Sequence, residues 1–424
     1  MSDLSPGIAD AGLHWLDASG EHADIVLSTR MRLARNLQGF AFGPRSRVND
    51  RTAVLRRVRA AAETVQPLKG ASVEELRALP PHGARLLLER RVISRELLGE
   101  ASHESGSVGS PSSGGSSAAS SGGLSAGSST GASPGSPPGS ASLDAPTLAA
   151  EGAAVVLPPA SPVSVMVNEE DHLRLQVLVS GLDLHEAWNR IDLLDEELGQ
   201  YLPYAFHPEF GFLTSCPTNV GTGLRASVLL HLPGLVLTKE IGKVLQGLSQ
   251  VGLTFRGLFG EGSEVVGNFF QISNQTTLGK TEEDLVDQLD AMVRQVIQVE
   301  LQARHRLLSH AGAVTEDKVW RGYGLLRYAR SLSFEELMNL LSGVRLGVSL
   351  KLLPGLRVYA LNKVMMFTQP AHLEEAAGRA LSPAERDAHR AAYVRRILLD
   401  EGRVEGSTPA SGTDPTPPHE EPAS

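Results

Sequence analysis

The stretch "TSCPTNVGTGLRAS" (214–227) places the only cysteine of the chain, Cys216, ahead of a Gly-Thr-Gly turn and Arg225. Three readings fit parts of it. A cysteine nucleophile would need a histidine base and an orienting group, which the sequence does not place, and Pro217 removes an N–H that commonly helps to build an oxyanion hole. "GTGLRA" matches the short G-x-G-x-x-G/A dinucleotide fingerprint, but "RASVLLHLPGL" continues as a strand into a Pro-Gly break, so no helix start follows to receive a pyrophosphate. A buried structural thiol is the third reading, and a common one for a lone cysteine. "GKT" (279–281) suggests a phosphate loop, yet Asn274 stands where that loop needs its first glycine.

Three further segments carry charge at informative spacing. "STRMRLARN" (28–36) sets Arg30 and Arg32 two apart, which in a strand puts both guanidinium groups on one face. "NEEDHLRLQ" (168–176) ends a strand with Glu169, Glu170 and Asp171, followed by His172 and Arg174. "FRGLFGEGSEVVGN" (255–268) puts Arg256 before a glycine-rich loop with Glu261 and Glu264. Taken singly, each segment also reads as a solvated face or a surface turn. Taken together, they offer arginine forks suited to polyphosphate geometry, and carboxylates with a thiol suited to a planar cation.

The elements that must position these residues are legible from periodicity. "ADIVLSTRMRLARNL" begins as a strand and is expected to turn helical; "SVMVN", "LRLQVLVS", "FGFLTS", "RASVLLHL" and "GNFFQISN" read as strands. "LLLERRVISRELLGE" reads as a charged helix, and "HEAWNRIDLLDEELGQYL" as an amphipathic one, apolar at Trp188, Ile191, Leu194 and Leu198. "TEEDLVDQLDAMVRQVIQVELQARHRLL" opens on a Thr281/Asp284 capping pair and runs as a long helix. Beyond about residue 310 the pattern is helical throughout, in "SFEELMNLLSGVRLGV" and "SPAERDAHRAAYVRRILLDE". The fold class expected is α+β: a largely antiparallel sheet flanked by helices, with a helical C-terminal domain. Residues 101–150 carry a Gly/Ser/Pro-rich segment with little to bury, expected as a disordered insert, and 403–424 as a disordered tail.

Composition narrows the classes. The chain has 424 residues and a net charge of −9, which argues against non-specific nucleic-acid binding. One cysteine excludes an internal disulfide framework or a thiolate zinc cluster and suits a reducing cytoplasm. The N-terminus lacks the basic and apolar regions of a signal peptide, and no apolar run approaches a membrane span, so no membrane association is expected.

The motifs "VLSTRMR", "NEEDHLR", "CPTNVGTGLRAS" and "RG…GE…VGN…QISN…LG", in that order, resemble the ATP:guanido phosphotransferase family: creatine kinase, arginine kinase and the bacterial protein arginine kinases. The resemblance covers most of residues 14–305 and implies a guanido-kinase catalytic domain there, with 306–402 as a helical domain for phosphoarginine binding and dimerisation. It implies that Arg30, Arg32, Arg174, Arg225 and Arg256 cradle the phosphates of ATP, with Mg²⁺ held mainly by phosphate oxygens and water and no protein metal site. It implies that Glu170 and Glu261 grip a guanidinium and take its proton, with Cys216 assisting electrostatically rather than covalently. The physics agrees, because in-line phosphoryl transfer calls for positioning and charge stabilisation more than covalent help.

Creatine and arginine kinases carry a helical domain before the strand that matches "STR". Here that strand begins at Ser28, which leaves no room for such a domain and implies a site open enough for an arginine on a protein. "LLERRVISREL" and "GEGSEVVGNFFQISNQTTLGKTEEDL" are also more similar to the bacterial protein arginine kinases. In "ERDAHRAAY", Arg386 and Arg390 lie one helical turn apart with Asp387 between. That reads as an ordinary charged face, or, by the resemblance, as a regulatory phosphoarginine site. The expectation is a protein arginine kinase using MgATP, marking proteins for Clp-type degradation or inactivating regulators. The implied partners are protein substrates, an activator, a Clp ATPase and a second copy of the chain. A kinase of small guanidines and a silent phosphoarginine adaptor remain as alternatives.

Overall fold

The computed structural model describes residues 6–99, 149–257 and 266–404. The Gly/Ser/Pro segment from 101, the tail beyond 404, Glu261 and Glu264 lie outside the described residues. Strands β1 (Val26–Arg35), β2 (Ser72–Glu75), β3 (Ala154–Leu157), β4 (Val163–Val167), β5 (Leu173–Ser180), β8 (Leu224–His231), β9 (Leu253–Gly257) and β10 (Phe269–Asn274) form one sheet in the order β2-β3-β4-β5-β1-β8-β10-β9. Every pairing in it is antiparallel. A hairpin of β6 (Phe206–His207) and β7 (Gly211–Phe212) stands apart, so the expected strand "FGFLTS" is only two residues long.

The two faces of the sheet differ because successive side chains alternate. Met31, Leu33, Val165, Leu175, Val177, Leu224, Ala226, Val228 and Ile272 point to one face and are buried. Helices Val48–Thr64, Leu184–Tyr201 and the first half of Glu282–Tyr328 supply the matching apolar stripes, including Val54, Val58, Ile191, Leu194, Leu289 and Val293. Each such side chain contributes about 1.5–3 kcal/mol by leaving water. The opposite face is apolar only at its ends. Leu178, Leu229 and Phe269 pack under the C-terminal helices, while Val155, Leu157 and Met166 pack under the segment around Leu87 and Ile93. The arginines lie between these two apolar regions.

Two local expectations are corrected. β1 stays extended through Arg35 rather than becoming helical. It is the central strand, paired with β5 on one side and β8 on the other. Arg35, opposite Leu173, is held by two-pronged bonds to Asp195 at 3.0 and 2.6 Å and lies 3.5 Å from the Phe212 ring. Sheet pairing on both edges overrides the helix-forming composition of "LAR". The helix at 81–89 stops before the second half of "LLLERRVISRELLGE", because Arg91 takes a left-handed φ of 62°.

The long helix Glu282–Tyr328 starts where expected, with the Thr281 hydroxyl accepting from Asp284 N and the Asp284 carboxylate accepting from Thr281 N. It bends at Ala311 (φ −140°, ψ 30°) and continues into helices Phe334–Ser349, Val358–Phe367, Pro370–Ala377 and Pro383–Val404. A buried ion pair ties its first half to the sheet. Glu300 accepts from Gly234 N and Leu235 N, each at 2.9 Å, and Arg304 joins Glu300 to the carbonyl of His231. Among the described residues, no helix is long and apolar enough to cross a membrane.

Candidate active site

Register places the five expected arginines on one face. Arg32 stands opposite Arg225 on β8, Ala34 opposite Arg174 on β5, and Gln271 of β10 opposite Arg256 on β9. Directly opposed residues share a face and neighbouring strands lie about 4.8 Å apart. Five positive charges are therefore concentrated across four strands. Arg30 donates to Gln271 Oε1 at 3.4 Å, and Arg225 donates to the carbonyl of Asn274 at 2.8 Å.

The cost of this concentration shows in the proton affinities. Burial first, then repulsion from Arg32 and Arg91, pulls Arg30 well below the ordinary arginine value. Burial, then Arg174 and Arg225, brings Arg32 down to about 9, and its Nε is buried without a partner. Guanidinium groups keep their protons at neutral pH, so these downward pulls reflect the burial of charge first and its repulsion by neighbouring arginines second. Burial also pulls Arg174 down, but Glu169, Asp171 and Glu170 more than offset it and the net shift is upward. Sequence reasoning missed a sixth cation, Arg91, which burial brings down to about 10. Its only signal was the Arg-Arg pair in "LLERRVIS", read as a helix face; the left-handed turn directs the chain instead toward β5, where Gln176 Nε2 donates to the Arg91 carbonyl at 2.8 Å.

The acidic motif forms the tight connection between β4 and β5. Asn168 sits at φ 57°, and its Nδ2 donates to the carbonyls of Arg51 and Gly152. The three carboxylates that follow have different surroundings. Glu169 is committed to Arg174 at 2.5 Å and to the Ser94 hydroxyl. Glu170 is open to solvent and touches Arg174 at 3.4 Å. Partial burial raises its pKa against the pull of Arg174, with Asp171 and Glu169 adding to the rise. Asp171 is 1% exposed and turns inward. A carboxylate that is accessible, near cations and raised toward neutrality suits a general base, and among these three only Glu170 qualifies.

The cysteine loop is fastened to this motif. The Ser215 hydroxyl donates to the carbonyl of Glu170 at 2.7 Å, and Ser215 N donates to Asp171 Oδ1 at 2.7 Å. Cys216 is partly exposed, with its Sγ 3.0 Å from the Thr218 hydroxyl, a contact that spacing alone did not single out. On the far side Thr277 donates to the carbonyls of Thr218 and Val220. The glycine turn serves this fastening. Gly221 takes φ 110°, and a Cβ there would sit 2.3 Å from the carbonyl of Thr277. Strand β8 follows "GTG" directly, so the turn opens no helix and cannot act as a dinucleotide loop. Glu170, Cys216, Arg174, Arg32 and Arg225 are thus brought together, while Glu261 lies outside the described residues.

The C-terminal arginine pair divides in two. Arg390 is 3% exposed and structural: its guanidinium donates to the carbonyls of Leu332 at 2.8 Å and Thr368 at 3.1 Å and pairs with Asp387 at 2.5 Å. Arg386 is half-buried and its Nε has no partner.

Comparison with known proteins agrees with this geometry. Residues 54–303 match the profile described as ATP:guanido phosphotransferase, C-terminal catalytic domain, and residues 313–407 that of the protein-arginine kinase McsB C-terminal domain. The chain is 39% identical over 396 residues to a protein-arginine kinase of Pelotomaculum thermopropionicum, covering 93% of this chain and 98% of that one. It is 41% identical over 394 residues to a protein-arginine kinase of Symbiobacterium thermophilum, covering 92% and 98%. The substrate-free duplicated taurocyamine kinase of Schistosoma mansoni superposes with a TM-score of 0.51 at 20% identity, over 95% of this chain and 51% of that one, and shares the fold.

Proposed function

The chain belongs to the ATP:guanido phosphotransferase family, and within it we propose that this protein transfers the γ-phosphoryl group of ATP to arginine side chains of proteins. One observation carries the proposal: a sheet face that gathers five arginines, Arg30 and Arg32 among them depressed by burial and by their cationic neighbours, meets an open carboxylate and a thiol at its edge. Arg32 Nε, buried and unpartnered, fits a polyphosphate oxygen. Mg²⁺ would neutralise phosphate charge there, held by phosphate oxygens and water.

The roles follow from position. Arg30, Arg32, Arg174, Arg225 and Arg256 hold the phosphates and fix the transferring group in line. Glu170 takes the proton from the attacking guanidinium nitrogen, because a protonated guanidinium is no nucleophile. Glu261 grips the remaining nitrogens, and Cys216, next to Thr218, adds negative character on the same side. We assign residues 14–305 to catalysis and 306–402 to a helical regulatory and dimerising domain, a division supported by the bend at Ala311. Arg386, with Asp387 and Arg390 behind it, is the proposed phosphoarginine contact. Phosphoarginine produced in this way would direct proteins to a Clp protease or silence regulators in the cytoplasm.

The test is incubation with radiolabelled MgATP and two acceptors, an unfolded protein and free arginine. Acid-labile label on the protein alone is expected. Label on free arginine alone would point to a small-guanidine kinase, and label on neither would point to a binding adaptor.

A further inference from the structure

The third acid of "NEED" is the one that touches neither cation nor solvent. Asp171 Oδ1 accepts from Asn36 Nδ2 at 2.6 Å and from Ser215 N at 2.7 Å. Asn36, 1% exposed at the end of β1, also donates to the carbonyl of Leu213 at 3.1 Å, and its Oδ1 accepts from His172 N at 2.8 Å. One side chain from the arginine strand thus bonds the acidic turn and the cysteine loop at once. Next to it His172 is fixed in one tautomer. Its Nδ1 accepts from Leu37 N at 3.1 Å and its Nε2 faces the carbonyl of Ala41 at 3.2 Å, while burial lowers its pKa and keeps it neutral.

We propose that Asp171 and Asn36 are positioning residues for the reaction, forming a buried latch that holds Glu170 and Cys216 in register with the arginine strand. This rests on the roles proposed above for Glu170 and Cys216. The reason is geometric. Glu170 and Cys216 lie on two separate loops. The direct tie between them is the single hydroxyl bond from Ser215 to the carbonyl of Glu170. The other bonds named here that link the two loops pass through Asp171 or Asn36. A buried carboxylate also bonds a backbone N–H more strongly than a neutral acceptor does. The base and the thiol must be placed to a fraction of an ångström relative to the phosphates, and an error of about 1 Å costs about 100-fold in rate.

The donor and acceptor pattern makes a sharp test. Both bonds to Asp171 end on Oδ1, and Oδ2 is buried without a partner, so in Asp171→Asn an amide oxygen in the Oδ1 place keeps both bonds and the NH₂ takes the unpartnered place. Asp171→Ala removes the acceptor and leaves Ser215 N and an Asn36 N–H without it. Asn36→Asp sets an oxygen against Asp171 Oδ1 and loses the bond to the Leu213 carbonyl, while its other oxygen can still accept from His172 N.

The experiment compares wild type, Asp171→Ala, Asn36→Asp and the conservative Asp171→Asn. It measures kcat and KM for MgATP with an unfolded protein acceptor, the rate of Cys216 alkylation by iodoacetamide, and the melting temperature. The expected result is a kcat lower by about 10–100-fold in Asp171→Ala and in Asn36→Asp with KM for ATP changed less than about 3-fold, an altered alkylation rate in both, and retention of most of both in Asp171→Asn. Three outcomes would overturn the latch: an unchanged kcat and alkylation rate in Asp171→Ala and Asn36→Asp, a parallel loss of ATP binding and melting temperature, or an Asp171→Asn variant as impaired as Asp171→Ala. The alkylation rate reads the loop geometry whatever the acceptor is. An alkylation rate altered in Asp171→Ala and kept in Asp171→Asn, in a protein that labels no acceptor, would therefore sink the proposed activity while leaving the latch standing.

Discussion

Removing Arg32 should make the empty protein more stable and its ATP binding weaker. Arg32 sits at the centre of the cation face, opposite Arg225, with Arg174 and Arg256 also repelling it. Its fall from 12.5 to about 9 corresponds to about 5 kcal/mol at 1.36 kcal/mol per unit, an upper figure that includes burial of the head group. Because the folded pKa is depressed, this penalty is fully present at every pH below about 9 and fades only as pH rises toward 12.5. Arg32→Met keeps the apolar stem and removes the charge, recovering a part of the penalty, about 1–3 kcal/mol. That predicts a melting temperature about 2–10 °C higher without nucleotide. With ATP the sign reverses. Losing charge-assisted bonds worth about 1.5–3 kcal/mol each weakens ATP binding about 10–100-fold. Thermal melts with and without ATP, alongside titration calorimetry, read both effects. A variant that melts lower without nucleotide, or that binds ATP as wild type does, would refute a penalty from burial and mutual repulsion at Arg32.

Other outcomes follow from the same geometry. Glu170→Gln should cut phosphoryl transfer about 100–10,000-fold while ATP affinity stays within about 3-fold, measured by label transfer and calorimetry. In wild type the transfer rate should fall on acidification with a midpoint above that of an ordinary glutamate, since burial raises Glu170, and a rate constant down to pH 4 would remove it as the base. Thr218→Val should slow transfer about 10-fold and change the iodoacetamide reactivity of Cys216, because it deletes the hydroxyl 3.0 Å from Sγ. Arg390→Ala should lower the melting temperature by about 5 °C or more, as it strands the carbonyls of Leu332 and Thr368, whereas Arg386→Ala should leave it unchanged and abolish any response to added phosphoarginine.

Much of this site was legible in the chain because its chemistry is written in short motifs on strands. Two-residue spacing put Arg30 and Arg32 on one face, and the strand after "GTG" excluded a dinucleotide loop, which β8 bears out. What was not legible depended on long-range pairing. "LAR" has helical composition, but β5 and β8 hold it extended from both sides. Arg91 joins the cations only because the chain turns left-handed there, a choice that an Arg-Arg pair does not announce. The three acids of "NEED" are chemically alike in sequence, and only Asn36, Arg174 and solvent, brought from elsewhere, give them three different tasks. Likewise Arg386 and Arg390 share a helix, but the carbonyls of Leu332 and Thr368 claim Arg390 alone.

The central claim is that one guanidinium is gripped from two sides while arginines hold the phosphates opposite it. An experimental structure with MgADP, nitrate in place of the transferring phosphoryl group, and an arginine peptide tests this directly. The account predicts the peptide guanidinium within hydrogen-bond distance of both Glu170 and Glu261, Cys216 on the same side, and nitrate in line between it and the face of Arg32, Arg174 and Arg225. A guanidinium bound away from Glu170, or Glu261 turned to solvent in that complex, would contradict it.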